Sequence, residues 1–187
     1  MDIREKKTKR SIYNAFLELR SKKALEKITV KELSNLAEIS KATFYLHYKD
    51  IFDLSEQLQK KVISDILGYI SDPKVILFDS QKFIKEILEG FYANQTIMDI
   101  LFSDAQFSML PEFIESEIKK IIFTEFPELK NDAVTNIRLT YQIMGGFLTY
   151  TKNHKQFGHD SVTKVIDDIS KTIDIYFYKN TISPSSH

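Results

Sequence analysis

The chain has 187 residues, 43% of them hydrophobic, which is material for one or two small domains with a buried core. It has no cysteine, which excludes disulfides and thiolate metal sites and suits a reducing cytoplasm. The formal net charge is zero but unevenly spread: residues 1–61 carry 14 Lys and Arg against 9 Asp and Glu, and the remainder carries 12 against 17. A basic first third beside an acidic remainder points to a polyanionic partner for the first part only. The charged start MDIREKKTKR lacks the apolar run of a signal peptide. No stretch approaches 18 uninterrupted apolar residues, so no membrane span is expected.

Residues 4–21 read as a first helix, with Ile12, Phe16 and Leu19 on its inner face and Ala15 beside them. The run from Arg4 to Arg10 opens it, and is either a solvated helix end or a set of phosphate contacts. Residues 22–27 form a linking loop. Thr29 followed by Glu32 is a capping box, in which the Thr hydroxyl accepts from the Glu32 N–H and the Glu carboxylate reaches back. Val30, Leu33, Leu36 and Ala37 then recur at helical spacing until A-E-I-S breaks the pattern. Ser40 caps a further helix running to about Tyr48, with Phe44 and Tyr48 facing inward. Lys41, Ala42, Thr43, Tyr45 and His47 fall on its other faces. They are the residue types that read base edges and phosphates. Capped helix, four-residue turn and second helix together make a helix-turn-helix pattern.

The stretch ITVKELSNLAEISKATFYLHYKDIFDL resembles the DNA-binding segment of the TetR/AcrR family of bacterial repressors. The matching core is T-V-K-E-L, then A-x-I-S-K-A-T-F-Y-x-H-Y-K-D. The resemblance covers residues 8 to 62; beyond them only length and helical character match. The family usually has Gly where Glu38 stands, and often Gly or a small residue at Ala42, so Glu38 is expected in a turn that needs positive φ. The resemblance implies that Lys41, Ala42, Thr43, Tyr45 and His47 face the major groove. It also implies that Thr29, Lys31 and Lys49 hold phosphates, and that the last two helices build a dimer.

Asp50 is the expected N-cap of a fourth helix carrying Leu54, Leu58, Val62 and Ile66, stopped near Ser71 by Asp72-Pro73. The expected organisation is a helix-turn-helix domain over 1–49 and a helical effector-binding and dimerisation domain over 50–180. The helix of 50–71 connects them, and 181–187 form a disordered tail. Residues 74–130 read as two or three helices. Ser80 to Asn94 has Phe83, Ile87, Leu88 and Phe91 inside; Thr96 to Phe102 is short; Pro111 opens a helix reaching about Phe126. Phe91, Tyr92, Phe102, Phe107 and Phe113, with Tyr141, Met144 and Phe147, are either core or the lining of a pocket for a small apolar or amphipathic effector.

The last two helices carry more apolar surface than one face needs. Val134, Ile137, Tyr141, Met144 and Leu148 form a heptad seam, and Leu139, Ile143, Phe147 and Tyr150 a second stripe. A helix apolar on two faces must bury both. Val162, Ile166, Ile169, Ile173 and Tyr176 repeat the spacing. Ile137, Leu148, Ile166, Ile169 and Ile173 are therefore the expected dimer interface, two helices from each of two subunits. Gly145-Gly146 sits mid-helix, where close helix approach or a ligand would offset the low helix propensity.

Enzyme readings find no support: there is no cysteine nucleophile, Gly-rich phosphate loop or H-E-x-x-H. His154 and His159 are poorly spaced for a metal, and no cofactor is expected. The sequence thus reads as an all-α, cytoplasmic, homodimeric regulator of operator DNA, without a membrane segment, a repressor released by a small molecule. The competing readings are an effector-independent DNA-binding factor and a helical protein-interaction module.

Overall fold

A computed structural model of the protein describes residues 3–103 and 109–181, with side chains up to residue 173. The described residues are all-helical. They form α1 (Ile3–Arg20), a 3-10 turn (Leu25–Lys27), α2 (Val30–Leu36), α3 (Lys41–Tyr45) and α4 (Ile51–Leu67). Then come α5 (Lys74–Phe78), α6 (Ser80–Ala93), α7 (Gln95–Leu101) and α8 (Leu110–Glu125). A 3-10 turn (Pro127–Asn131), α9 (Ala133–Phe157) and α10 (His159–Thr181) complete the chain. None of the described helices is long and apolar enough to cross a membrane. Phe107, the side chain of Tyr176 and the tail after Thr181 lie outside the described residues.

Two compact units result, one of Met1–Asp65 with Ala93–Ser108, the other of Ile66–Tyr92 with Met109–His187. In the first, Ile12, Phe16, Leu33, Phe44, Leu54 and Leu101 are wholly or almost wholly buried. The apolar residues of α1 and α4 are buried as the periodicity implied, and α1 packs on α2 and α2 on α3. Sequence reading had bounded the first domain at residue 49, whereas α7 packs on α1 within the first unit. Its last carbonyls draw long-range donors: Gln59 Nε2 reaches the Leu101 oxygen (3.0 Å) and Arg20 Nη2 the Ser103 oxygen (3.1 Å). Arg20 is buried and also donates to the Lys23 carbonyl. A cation against helix C-terminal carbonyls is favourable on charge and dipole grounds.

Three boundaries differ from the sequence reading. α3 is assigned only to Tyr45, but Leu46 and Tyr48 N–H still donate to Ala42 and Phe44 carbonyls, so helical bonding fades out where Tyr48 was expected to end it. α4 stops at Leu67 rather than Ser71, in a turn at Gly68-Tyr69 that precedes the proline. The stretch after Pro73 holds one more short helix, α5, than was expected, opened by Asp72 accepting from the Lys74 N–H.

The second unit is built on α8, α9 and α10. Ile114, Ile118 and Ile122 of α8 and Leu139 and Ile143 of α9 are buried. Lys119 joins α8 to α9 by pairing with Glu115 (2.7 Å) and donating to Thr140 (2.9 Å), whose hydroxyl also donates to Glu115. Gly90 of α6 lies against α4 so closely that a Cβ there would sit 2.7 Å from the Ile66 carbonyl oxygen. Phe83, Ile87, Leu88 and Phe91, expected inside, are only half-buried in the single chain.

Candidate nucleic-acid interface

Local sequence sets the α2–turn–α3 segment atom by atom. The Thr29 hydroxyl accepts from the Glu32 N–H (3.2 Å), as a cap should. The reciprocal half of the expected capping box is not formed, because the Glu32 carboxylate pairs with Lys23 instead. At the other end of α2 the Ile39 N–H donates to the Ser34 carbonyl (3.0 Å) and the Glu38 N–H to that of Asn35 (3.2 Å). This is a Schellman closure, which places the residue after the C-cap in the left-handed region. That residue is Glu38, with φ 54°, the one positive-φ residue other than glycine among the described residues. Ser40 then caps α3, its Oγ accepting from the Thr43 N–H (3.0 Å) and lying 2.8 Å from Thr43 Oγ1. Asp50 accepts from the Asp53 N–H and Asp53 from the Lys49 N–H, fixing the entry to α4. The Gln57 amide and that Lys49 N–H hold the Asp53 carboxyl below its ordinary range.

Phe44 is fully buried and Tyr48 nearly so, with ring centroids 5.6 Å apart. Burial pushes the Tyr48 phenol up. These two anchors fix which side of α3 faces out. Lys41, Ala42 and Tyr45 are exposed, with the Tyr45 ring set edge-on against Phe44 at 5.5 Å. Thr43 and His47 are half-buried, the Thr43 hydroxyl already engaged with the cap. Thr29, Lys31 and Lys49 are exposed. None of the eight residues singled out is buried.

Charge pairing is uneven within the first unit. Lys9, Lys22, Lys60 and Lys61 pair with acidic residues four positions away, and Lys23 pairs with Glu32. The Lys9 ammonium, hydrogen-bonded to Glu5, holds that carboxyl below its ordinary value, with His47 adding to the effect. Lys31, Lys41 and Lys49 make no salt bridge among the described residues. Unpaired ammonium groups beside an exposed tyrosine make a surface suited to polyanions.

One residue of this face escaped the sequence reading. Leu46 is 81% exposed, beside Ala42, to whose carbonyl its N–H donates (3.1 Å). At about 100° per residue it lies diametrically opposite the Phe44–Tyr48 midpoint, and that spacing alone could have found it.

In the second unit the sequence-derived residues fall in several places. Phe91, Phe113, Met144 and Phe147 are half-buried, whereas Phe102 is buried in the first unit. Tyr92, 79% exposed, lines an open groove of about 1000 Å³ with Ile84 and Leu88 of α6 and His159, Asp160 and Lys164 of α10. Tyr141 lines a separate open hollow with Lys119, Asn136, Ile137 and Thr140. On α9 the two apolar stripes part: Leu139 and Ile143 are buried, while Val134, Ile137 (70%), Tyr141 and Leu148 are exposed. On α10 Ile169 is exposed and Ile166 and Ile173 are half-buried. A Cβ at Gly145 or Gly146 would meet nothing within 4 Å, so the single chain makes no close approach there. At the α9–α10 turn the Tyr150 hydroxyl lies 3.0 Å from His159 Nδ1, and its ring stacks on His154 at 4.8 Å.

No family model, curated protein or solved structure matches the chain.

Proposed function

We propose that the protein is a sequence-specific regulator of transcription of the TetR/AcrR type, with α2, the Glu38 turn and α3 as its helix-turn-helix. Lys41, Ala42 and Tyr45 read bases in the major groove, with Thr43 and His47 at their flank. Thr29, Lys31 and Lys49 hold phosphates. The observation that carries this reading is the single outward face of α2 and α3. It presents three exposed lysines that make no salt bridge among the described residues, together with the exposed Ala42 and Tyr45.

The active species is a homodimer formed through the exposed stripe of α9 and the adjoining face of α10. Val134, Ile137, Tyr141 and Leu148 are apolar surface that a second copy would cover. The protein acts as a repressor that a small apolar or amphipathic molecule releases. The groove of Tyr92, Leu88 and Ile84, rimmed by Lys82, Lys85, Asp160 and Asp167, has the mixed character such a molecule needs.

Selection of bound duplexes from a random-sequence pool tests the reading. A dimeric reader is expected to enrich an inverted repeat whose half-sites are about 10 base pairs apart or a multiple of that. Enrichment of no sequence above the input pool would rule it out.

A further inference from the structure

Leu46 has no role in the interface described so far, yet it is the most outward side chain of α3. Phe44 and Tyr48 define the buried side of the helix, and Leu46 lies about 180° around from their midpoint. Its backbone is still helical (φ −69°, ψ −22°), so the side chain stands on the helix rather than in a loose loop. Ala42, four residues earlier and also exposed, lies on the same face. The result is a short apolar ridge along the crest of α3, with Tyr45 to one side of it and Thr43 to the other.

An 81% exposed leucine within a stretch, residues 1–61, that carries 14 Lys and Arg against 9 Asp and Glu fits one occupant better than others. Lysine is depleted at the core of protein–protein interfaces, so the surroundings of Leu46 are wrong for a protein hot spot. They are right for a polyanion. On the major-groove edge of a duplex the 5-methyl group of thymine is the apolar feature available to a side chain. We propose that Leu46, backed by Ala42, contacts thymine 5-methyl groups in the major groove and selects for thymine in each half-site. This rests on the DNA-binding reading above, and it assigns the deepest point of the groove contact to an apolar side chain rather than to Lys41 or Tyr45.

The test compares duplexes enriched from the random pool with the same duplexes carrying deoxyuridine in place of thymine, one position at a time, by fluorescence anisotropy. Deoxyuridine keeps the base pairing and removes only the methyl group. At one or more thymines per half-site the wild-type protein is expected to lose about fourfold in affinity, the worth of one buried methyl group. Leu46→Ala is expected to bind the thymine and deoxyuridine duplexes equally, and Leu46→Met to keep the preference. Lys49→Ala should weaken both duplexes without changing their ratio. The side chain is exposed, so all three variants should melt with the wild type. Wild-type affinity indifferent to deoxyuridine at every position, or a full preference retained by Leu46→Ala, would overturn the assignment while leaving DNA binding in place. A wild-type protein that binds no duplex would overturn the DNA reading beneath it.

Discussion

Glu38 bears the cost of the tight connection between α2 and α3. Its φ of 54° is forced by the two Schellman hydrogen bonds, and a side chain in that region costs about 1 kcal/mol. Glu38→Gly should therefore raise stability by about 1 kcal/mol, read as a higher urea midpoint at unchanged slope. An unchanged midpoint would mean that the turn holds no strain. Gly90 is the opposite case. Its α carbon allows α6 to approach the end of α4, and a methyl group 2.7 Å from the Ile66 oxygen must push backbone aside. Gly90→Ala should cost about 2 kcal/mol in the same assay. Glu115 gives a pH signature. Burial acts to raise its pKa, but hydrogen bonds from Lys119 and Thr140 prevail and hold it below the ordinary value of 4.5. A carboxyl lowered on folding stabilises above that value, and the contribution is lost as the pH falls through the folded pKa. The gap in melting temperature between wild type and Glu115→Gln should therefore be widest at neutral pH and narrow as the pH falls below 4.5. A gap equal at both would remove the Lys119–Glu115 pairing as its cause.

At the scale of elements, what the sequence made legible was what local chemistry decides. Thr29 and Ser40 announce the starts of α2 and α3 because a hydroxyl three residues before a free N–H has one use. Phe44 and Tyr48 announce the inner face because they are four apart. The part of the first unit made by α7 was not legible. Its place depends on Arg20 and Gln59, 83 and 42 residues from the carbonyls they reach, and no local pattern encodes such a pairing. Leu46 was passed over because its side chain is apolar, although its position opposite Phe44 and Tyr48 was legible in the helical spacing. The two stripes of α9 were legible only in part: Leu139 and Ile143 of one are buried and Val134, Ile137, Tyr141 and Leu148 of the other are open, but Met144, Phe147 and Tyr150 are half-buried. That open stripe motivates a prediction. Ile137→Asp places a charge at a site 70% exposed in the single chain, so the helix itself should tolerate it. Across a dimer seam the same charge would be buried without a partner, at several kcal/mol. Sedimentation is expected to show a wild-type dimer at micromolar concentration and a folded Ile137→Asp monomer. A wild-type monomer at that concentration would leave the α9 seam without this role.

For the whole molecule, the proposed regulation requires that binding in one unit be felt by the other. α4 runs from Ile51 to Leu67, and the division between units falls within it at Asp65–Ile66. A ligand that prefers the state unable to bind DNA weakens operator affinity by its differential affinity for the two states, and by no more. A hundredfold effect needs about 2.7 kcal/mol, and operator DNA must weaken ligand binding by the same factor. A candidate effector titrated with and without operator is expected to show that reciprocal loss; equal affinities would assign the protein to the effector-independent class. All of this depends on the face of α2 and α3 being a DNA reader. The most direct measurement is the affinity of wild type, Lys41→Ala and Lys49→Ala for a selected and a random duplex across a salt series. Lys49→Ala should weaken both duplexes alike and shallow the slope of log K against log salt by about 0.9, the signature of one lost phosphate contact. Lys41→Ala should collapse the ratio of selected to random affinity. Affinities and slopes identical to wild type in both variants would contradict the placement of this interface.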